Sequence, residues 1–551
     1  MRSISLPDEC LNELFLYLDN KSLYKCLFVN RNYCRFAIPI LWEKPFRPSF
    51  VREKYSLIIN TLLNCLDKEE ITTLIPYQIN IIKYQKPLFE YGKFIRIIDQ
   101  EFVKQNIITW LNSSNGKVFT ERYNITKYQD CRVKKLIKVI YHMIIRQGSN
   151  LKEINLRVFQ SDFYIDLPKF SIFQNQIPGI MNLRSLKVDI DLESSDDKRY
   201  ENTMEFLKSI HKSCNNIINC DLLIYKLNYN IVKEFLNIIK SQPLKRISIY
   251  TNFLEQHKKE IIYALEYRSF SLKELIFIYM DFKNIDLTSI TKLECLEKLE
   301  FDNCEGFTYE HCNIFSKKKF QLKELKLWHD DLDVIYDSDN VYDQLGINLN
   351  VIVGLIITLG GESLLKLSLN IITSETIKAV KESCPRIDFL HIRIISSKSL
   401  NSIIPLICEL SLLKILHIQM DSDEVNNNNN NNNNSNNNSN QLIEILGDHL
   451  ISVEYLYLNV LVCLSSFEYF TKNCKVNLKK WIFPCNESLR KDYLLCVDNY
   501  QRLHNSLKFL GIYESEDGFC WDDDELEIID SLKGQGVDIV SSNHLSKLFY
   551  Q

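Results

Sequence analysis

The chain has 551 residues and a mass of 65.1 kDa. At about 100–200 residues per domain, that allows several compact domains or one long repeat array. Hydrophobic residues make up 46% and charged residues 25%, which excludes a wholly disordered or collagen-like chain. Lys plus Arg is 66 and Asp plus Glu is 70, for a formal net charge of −4, so a generally basic nucleic-acid-binding surface is not expected. Alanine occurs only at Ala37, Ala264 and Ala379, so packing must supply what helix propensity does not.

In chain order, residues 6–18 read LPDECLNELFLYL. Pro7 suits a first helical turn, Asp8 and Glu9 complement the positive helix end, and Leu11, Leu14, Phe15 and Leu18 recur at helical spacing. Asp19 or Asn20 breaks this helix and can cap a second with Leu23, Cys26 and Leu27. Asn30 caps a third, which Pro39 is expected to end before Leu41 and Trp42. Three helices in so few residues cannot enclose all these apolar side chains, so part of the surface should be buried against a partner or the rest of the chain.

This stretch resembles the F-box, the short motif that binds the Skp-type adaptor of cullin–RING ubiquitin ligases. The matching residues are Leu6, Pro7 and Glu9, the Leu11/Leu14/Phe15/Leu18 stripe, Ser22, Leu23, Cys26, Val29, Asn30, Arg31, Pro39, Leu41 and Trp42. Tyr33 stands where the family usually has Trp. The resemblance implies adaptor binding by Leu6, Pro7, Leu11, Leu14, Phe15, Leu18, Leu23, Leu27, Val29 and Trp42. The alternative is an ordinary N-terminal helical cap on the domain that follows.

Residues 50–149 read as a helical linker, with amphipathic runs at Tyr55–Leu66 and Arg132–Gln147. The Lys134, Lys135 and Lys138 cluster is expected to be a solvated helix face.

From residue 150 an apolar-x-x-apolar-x-apolar pattern recurs thirteen times, from Leu151/Ile154/Leu156 to Leu507/Leu510/Ile512. Most first positions lie 23–34 residues apart, and two spacings are 42 and 40. The alternation gives a strand with one buried face, and the amphipathic stretches between are long enough for helices. The pattern resembles irregular leucine-rich repeats. The consensus polar residue three places after the third apolar one is met by Asn252, Cys304 and Asn486, and register at Ile217 and Leu478 stays open. The expected fold class is α/β: an N-terminal three-helix F-box at 3–46, the helical linker, then a curved leucine-rich-repeat solenoid with a parallel strand ladder at 150–540. An acidic insertion at 329–343 and an Asn-rich insertion at 422–440, expected to be disordered, interrupt the repeats.

The resemblance places the third, fifth and seventh positions of each unit on a concave binding surface. Early units show Glu153, Asn155, Arg157, Ser185, Lys187 and Asp189 there. Aromatic side chains follow: Tyr250, Trp328, Phe389, His391, Tyr455, Tyr457, Phe509 and Tyr513. These are the expected contacts to an unidentified protein partner, because interface cores are rich in aromatics. Two alternatives remain open, that loops cover them or that the register slips by one.

The seventeen cysteines form no C-x-x-C pair, so neither a zinc site nor a compact disulfide framework is expected. Reduced, mostly buried thiols in a cytoplasmic and/or nuclear protein fit better. The first ten residues turn acidic before an apolar run develops, and the apolar stretch at Val351–Leu359 is too short to span a bilayer, so neither a secretory signal nor a membrane partner is expected. No phosphate-binding glycine loop, nucleophile elbow or H-E-x-x-H motif occurs. By the F-box resemblance, the chain would be a non-catalytic substrate receptor without a metal or cofactor, reaching the cullin–RING ligase through the adaptor. The alternative is a non-degradative repeat scaffold that uses the F-box only for docking.

Overall fold

The computed structural model describes residues 7–46, 52–77, 79, 87–112, 131–159, 179–192, 198–225, 229–251, 255–329, 348–394, 400–420, 435–485, 487–513 and 521–541. The chain forms two compact units, one of residues 1–272 with 292–294, the other of residues 273–291 with 295–551.

The first unit opens with three helices, α1 (Asp8–Leu16), α2 (Asn20–Cys26) and α3 (Arg31–Leu41). Asp19 accepts a hydrogen bond from Ser22 N and Asn30 one from Tyr33 N, each at 2.8 Å, so both breaks are capped as the sequence suggests. Pro39 lies inside α3 rather than ending it. The amide it lacks falls in the last turn, and Trp42 N still reaches Ile38 O at 3.0 Å.

Helices α4 (Arg52–Asn64), α5 (Lys68–Thr72), α6 (Gln100–Asn112) and α7 (Cys131–Arg146) follow. The buried carboxylate of Glu70 fastens α5 to α7. It accepts from Arg146 Nε at 2.9 Å and from the guanidinium terminus at 2.8 Å, and it lies 2.8 Å from His142 Nδ1. A buried carboxylate satisfied on several sides avoids the desolvation penalty of a lone one. The linker is not wholly helical. Strand β1 (Ile97–Asp99) pairs with the first repeat strand, so the ladder begins before residue 150.

Strands β2 (Glu153–Phe159), β3 (Ser185–Asp191), β4 (Asn219–Ile224) and β5 (Arg246–Thr251) continue from β1 as neighbours in sequence order, all parallel. Cys220 aligns with Leu186 and Ile247, which settles the register left open at Ile217. Helices α8 (Lys198–Ser213), α9 (Tyr229–Ser241) and α10 (Glu255–Ala264) lie between strands and pack on one another.

The second unit holds β6 (Glu274–Ile278), β7 (Lys298–Asp302), β8 (Glu324–Trp328), β9 (Lys366–Leu369) and β10 (Phe389–Ile394). It continues with β11 (Ile415–Met420), β12 (Tyr455–Asn459), β13 (Lys480–Pro484), β14 (Phe509–Tyr513) and β15 (Asp538–Ser541). Each pairs in parallel with the next in sequence. Leu299, Leu325, Leu367, Leu390, Leu416, Leu456, Trp481 and Leu510 form one buried row, and burying each such side chain stabilises by about 1.5–3 kcal/mol. Trp481 thus sits where the sequence placed it despite the doubt at Leu478. Cys304 does the bridging that the consensus asks of it: its Sγ lies 3.4 Å from Phe277 O of the preceding strand. Parallel strands with helices between them are the architecture of a leucine-rich-repeat solenoid.

Two expectations change. Residues 435–440 of the Asn-rich insertion are helical, within Ser435–His449, because Leu442, Ile443 and Leu446 of the same helix are buried and anchor it. The rest of that insertion, and the acidic insertion except His329, lie outside the described residues. Strand β15 adds a rung that has no complete repeat pattern.

Candidate protein-binding surfaces

The N-terminal helices divide their apolar residues between two sides. Leu11, Phe15, Leu23 and Ala37 form the core, with Tyr33 edge-on to Phe15 at 5.3 Å. Leu11, Phe15 and Leu23, expected at the adaptor contact, are therefore internal, because even a small helical module must fill its own centre. Leu14 (52% exposed), Leu18 and Val29 (61% exposed) face outward with Tyr17, Tyr24 and Phe28, and Pro7 is exposed too. Leu27 is half-buried. Trp42, also half-buried, packs against Tyr91 at 4.4 Å, tying the module to the rest of its unit. Leu6 lies outside the described residues.

In the second unit, side chains between the buried rows project from the other face of the ladder. The fifth positions of β10 to β13 align as His391, His417, Tyr457 and Ile482. Trp328 meets His391 at 4.6 Å, His391 meets His417 at 4.0 Å, and His417 meets Tyr457 edge-on at 4.0 Å. Phe509 and Val540 pack against Tyr457 and Ile482. The row is therefore continuous, but it is not the exposed set of anchors expected. Trp328, Phe389, His391 and Tyr457 are buried; Tyr455 and Phe509 are half-buried. His391, His417 and Tyr457 stand on neighbouring strands about 4.8 Å apart and cover one another, while Trp328 on β8 reaches His391 on β10 across β9. Burial, with the nearby Lys326 ammonium, holds His391 down at about 4, and burial then His391 hold His417 well below the usual imidazole value. Both rings are neutral at physiological pH. The side chain of Tyr513 lies outside the described residues.

The corresponding face of the first unit is polar. Asn155 donates to Asp99 Oδ2 at 2.6 Å and Arg246 to Asp221 Oδ1 at 2.5 Å. Arg157 lies 3.7 Å from Asp189 Oδ2, beyond hydrogen-bond distance. Half-buried Tyr250 packs against Tyr225, with ring centroids 4.5 Å apart. Burial raises the Asp189 carboxyl to about 6, against the opposing pull of Arg157.

No family model matches this sequence, and no curated protein matches it. Among solved structures the chain is similar to an internalin (inlF) from Listeria monocytogenes at 12% identity. That match covers 74% of this chain and 82% of the other, with a TM-score of 0.26. So distant a superposition carries no argument, and the fold rests on the strand register.

Sequence reasoning missed His417 and Tyr225. His417 holds the position of its repeat that His391 and Tyr457 hold in theirs, so the same counting from Leu413 finds it. Among the described residues, no group of three or more His, Cys, Asp or Glu is placed to hold a metal ion, and no helix is long and apolar enough to cross a membrane.

Proposed function

We propose that this chain is a non-catalytic protein-interaction subunit that docks through its N-terminal helices on a Skp-type adaptor, and through it on a cullin–RING ubiquitin ligase, while its repeats hold a protein target. The observation that carries the reading is the outward apolar surface of Leu14, Leu18, Phe28 and Val29 on a module whose core is already filled by Leu11, Phe15 and Leu23. Apolar surface left over from a satisfied core is what a docking partner covers. Catalysis would be proximity alone, with the bound target held near an enzyme that others supply.

The test is co-purification with the adaptor. Leu14→Asp with Val29→Asp, both outward, should abolish it while the thermal melt stays unchanged. Adaptor retained by that variant counts against the reading. If the adaptor binds but captured proteins are never ubiquitinated by the assembled ligase, the chain is a scaffold rather than a receptor.

A further inference from the structure

Each inner rung of the ladder buries its core side chain between the rungs on either side. Leu456, Trp481 and Leu510, in register on β12 to β14, are fully buried. Ile539 continues this row on β15, aligned with Leu510, but is only half-buried, as is Val540. Among the described residues no strand lies beyond β15, which ends the sheet order. Asp538 N donates to Lys508 O of the preceding rung at 2.9 Å. Successive residues of a strand direct their N–H and C=O to opposite sides, so those of Ile539 point away from β14 toward the open edge. At the other end of the ladder, Arg96 N and Ile97 N donate to Glu43 O at 3.0 and 3.3 Å, so a carbonyl already meets that edge. An open strand edge is a template for another strand. The helix Asp523–Gly534 precedes β15 in the same rung. Its Asp524 and Ser531 reach Lys491 and Asp498 of the helix Arg490–His504 at 2.5 and 3.1 Å, so Leu526 and Asp530, about half a turn away, look outward from the last rung. Leu526 is 40% exposed. The exposed charges of this rung are mostly acidic: Asp523, Glu527, Asp530 and Asp538 stand against Lys533. A second copy of this chain would set that acidic end against itself, whereas a basic segment is complementary to it.

We propose that β15 is a docking edge for an extended, basic segment of a protein partner, which adds to the ladder as its next strand. The proposal rests on the reading of the repeats as the part that holds a target, and it states where the target attaches and by what chemistry. Backbone hydrogen bonds to Ile539 hold the segment. Side chains select it: a lysine or arginine beside exposed Asp538, and next to it an apolar residue that covers Ile539 and completes the buried row.

The probe is a library of random dodecapeptides displayed on phage, selected against the full chain at pH 7.5. Selected peptides should share an adjacent basic and apolar pair. In synthetic copies, N-methylation of every second amide should abolish binding in one register and spare it in the other, because only alternate amides meet the edge. In fluorescence anisotropy, Asp538→Lys should bind such a peptide at least tenfold more weakly than wild type, and glutamate in place of the peptide's basic residue should restore binding to that variant. Ile539→Pro removes the edge-facing N–H without touching a bond to β14, and should abolish binding. Hydrogen exchange at the Ile539 amide should be fast in the free chain and slowed by the peptide. Equal affinity for wild type and Asp538→Lys, no effect of N-methyl register, or a library that yields no binder would overturn the proposal. So would an Ile539 amide already protected in the free chain, which means that the chain itself, or a second copy seen by sedimentation velocity, covers the edge. Peptides that bind yet ignore both variants remove this edge and leave the repeats as the target-holding part. Adaptor co-purification is read separately on the same preparations, so a chain that fails to bind adaptor leaves the peptide result standing.

Discussion

The imidazole rings of His391 and His417 lie face to face, 4.0 Å between centroids and 6° from parallel. They sit on adjacent parallel strands in direct register, between Trp328 and Tyr457. Burial keeps both rings neutral, with Lys326 a second discouragement for His391 and a hydrogen bond to Gln419 a smaller opposing pull. An unfolded chain binds protons at these histidines from the ordinary imidazole value downward, whereas the folded chain resists until about pH 4 at His391. The folded state is therefore destabilised progressively as pH falls below about 6.5, by about 1.4 kcal/mol per pH unit for each histidine protonated only on unfolding. Urea midpoints at pH 7.5 and 5.0 should differ more for wild type than for the His391→Phe, His417→Phe double variant. Equal drops in the two proteins would exclude the pair as the cause.

Trp481 shows what the ladder core is worth. It is fully buried, stacked on Phe467 at 5.0 Å and 13°, and in contact with Phe470, Phe483 and Tyr500. Trp481→Ala removes the largest side chain of this cluster and should cost about 3–5 kcal/mol. Trp481→Phe keeps the stacking partner and should cost clearly less. Chemical denaturation monitored by far-UV circular dichroism measures both, and a loss below 1 kcal/mol for the alanine variant would mean that the cluster collapses around the gap.

The repeat core was legible because period-2 apolar alternation names the buried face of every strand, and the structure buries those residues from Ile154 to Ile512. What the alternation cannot specify is how side chains on the opposite face treat one another. Trp328, His391 and Tyr457 belong to the expected face, yet they are buried, because ring contacts run from His391 through His417 to Tyr457 on successive strands and from Trp328 on β8 across β9 to His391, which depends on ring size and not on the alternation. Strand β1 escaped because three residues, Ile97–Asp99, carry no repeat signature and gain their strand conformation only by pairing with β2. In the N-terminal module the apolar stripe was legible, but its division between inward Leu11 and Phe15 and outward Leu14 was not. A stripe of helical spacing gives a direction and not a depth.

Gly306 holds a position that no other residue fits. Its φ is +75°, and a Cβ there would stand 2.1 Å from Asp281 Oδ1 and 2.4 Å from Lys283 N. The flanking bonds fix the backbone: Phe282 N donates to Glu305 O at 2.8 Å and Glu305 N to Met280 O at 3.0 Å. Gly306→Ala should therefore cost about 1–3 kcal/mol from backbone strain alone, and more if the Asp281 turn must open. Gly534, whose added Cβ would meet nothing within 4 Å, is the matched control and should tolerate alanine within about 0.5 kcal/mol. Differential scanning calorimetry of the two variants separates a conformational requirement from a general intolerance of substitution.

The last repeats are closed by a buried ion pair. Arg490, at the start of α18 (numbering on from α10: α11 Thr288–Thr291, α12 Tyr309–Ser316, α13 Leu349–Leu359, α14 Ser374–Ser383, α15 Leu400–Cys408, α16 Ser435–His449, α17 Leu464–Asn473, α18 Arg490–His504), donates from Nε to Glu525 Oε1 at 2.7 Å and from its terminal nitrogen to Oε2 at 2.9 Å. Both side chains are almost fully buried, and the guanidinium lies 5.2 Å from the centroid of the Trp521 ring. Glu525 has a second duty. It accepts from Asp522 N at 2.9 Å and completes a capping box at the start of the helix Asp523–Gly534. Arg490→Met leaves that carboxylate buried without its partner and should cost about 3–5 kcal/mol. Adding Glu525→Met removes the stranded charge and should restore most of the loss. A deficit of about 1 kcal/mol should persist, because the capping box is gone while the cap of Asp522 to Glu525 N remains. A double-mutant cycle by urea denaturation measures the coupling. A double variant no more stable than Arg490→Met would mean that the arginine acts through Trp521 packing and not through the charge it neutralises.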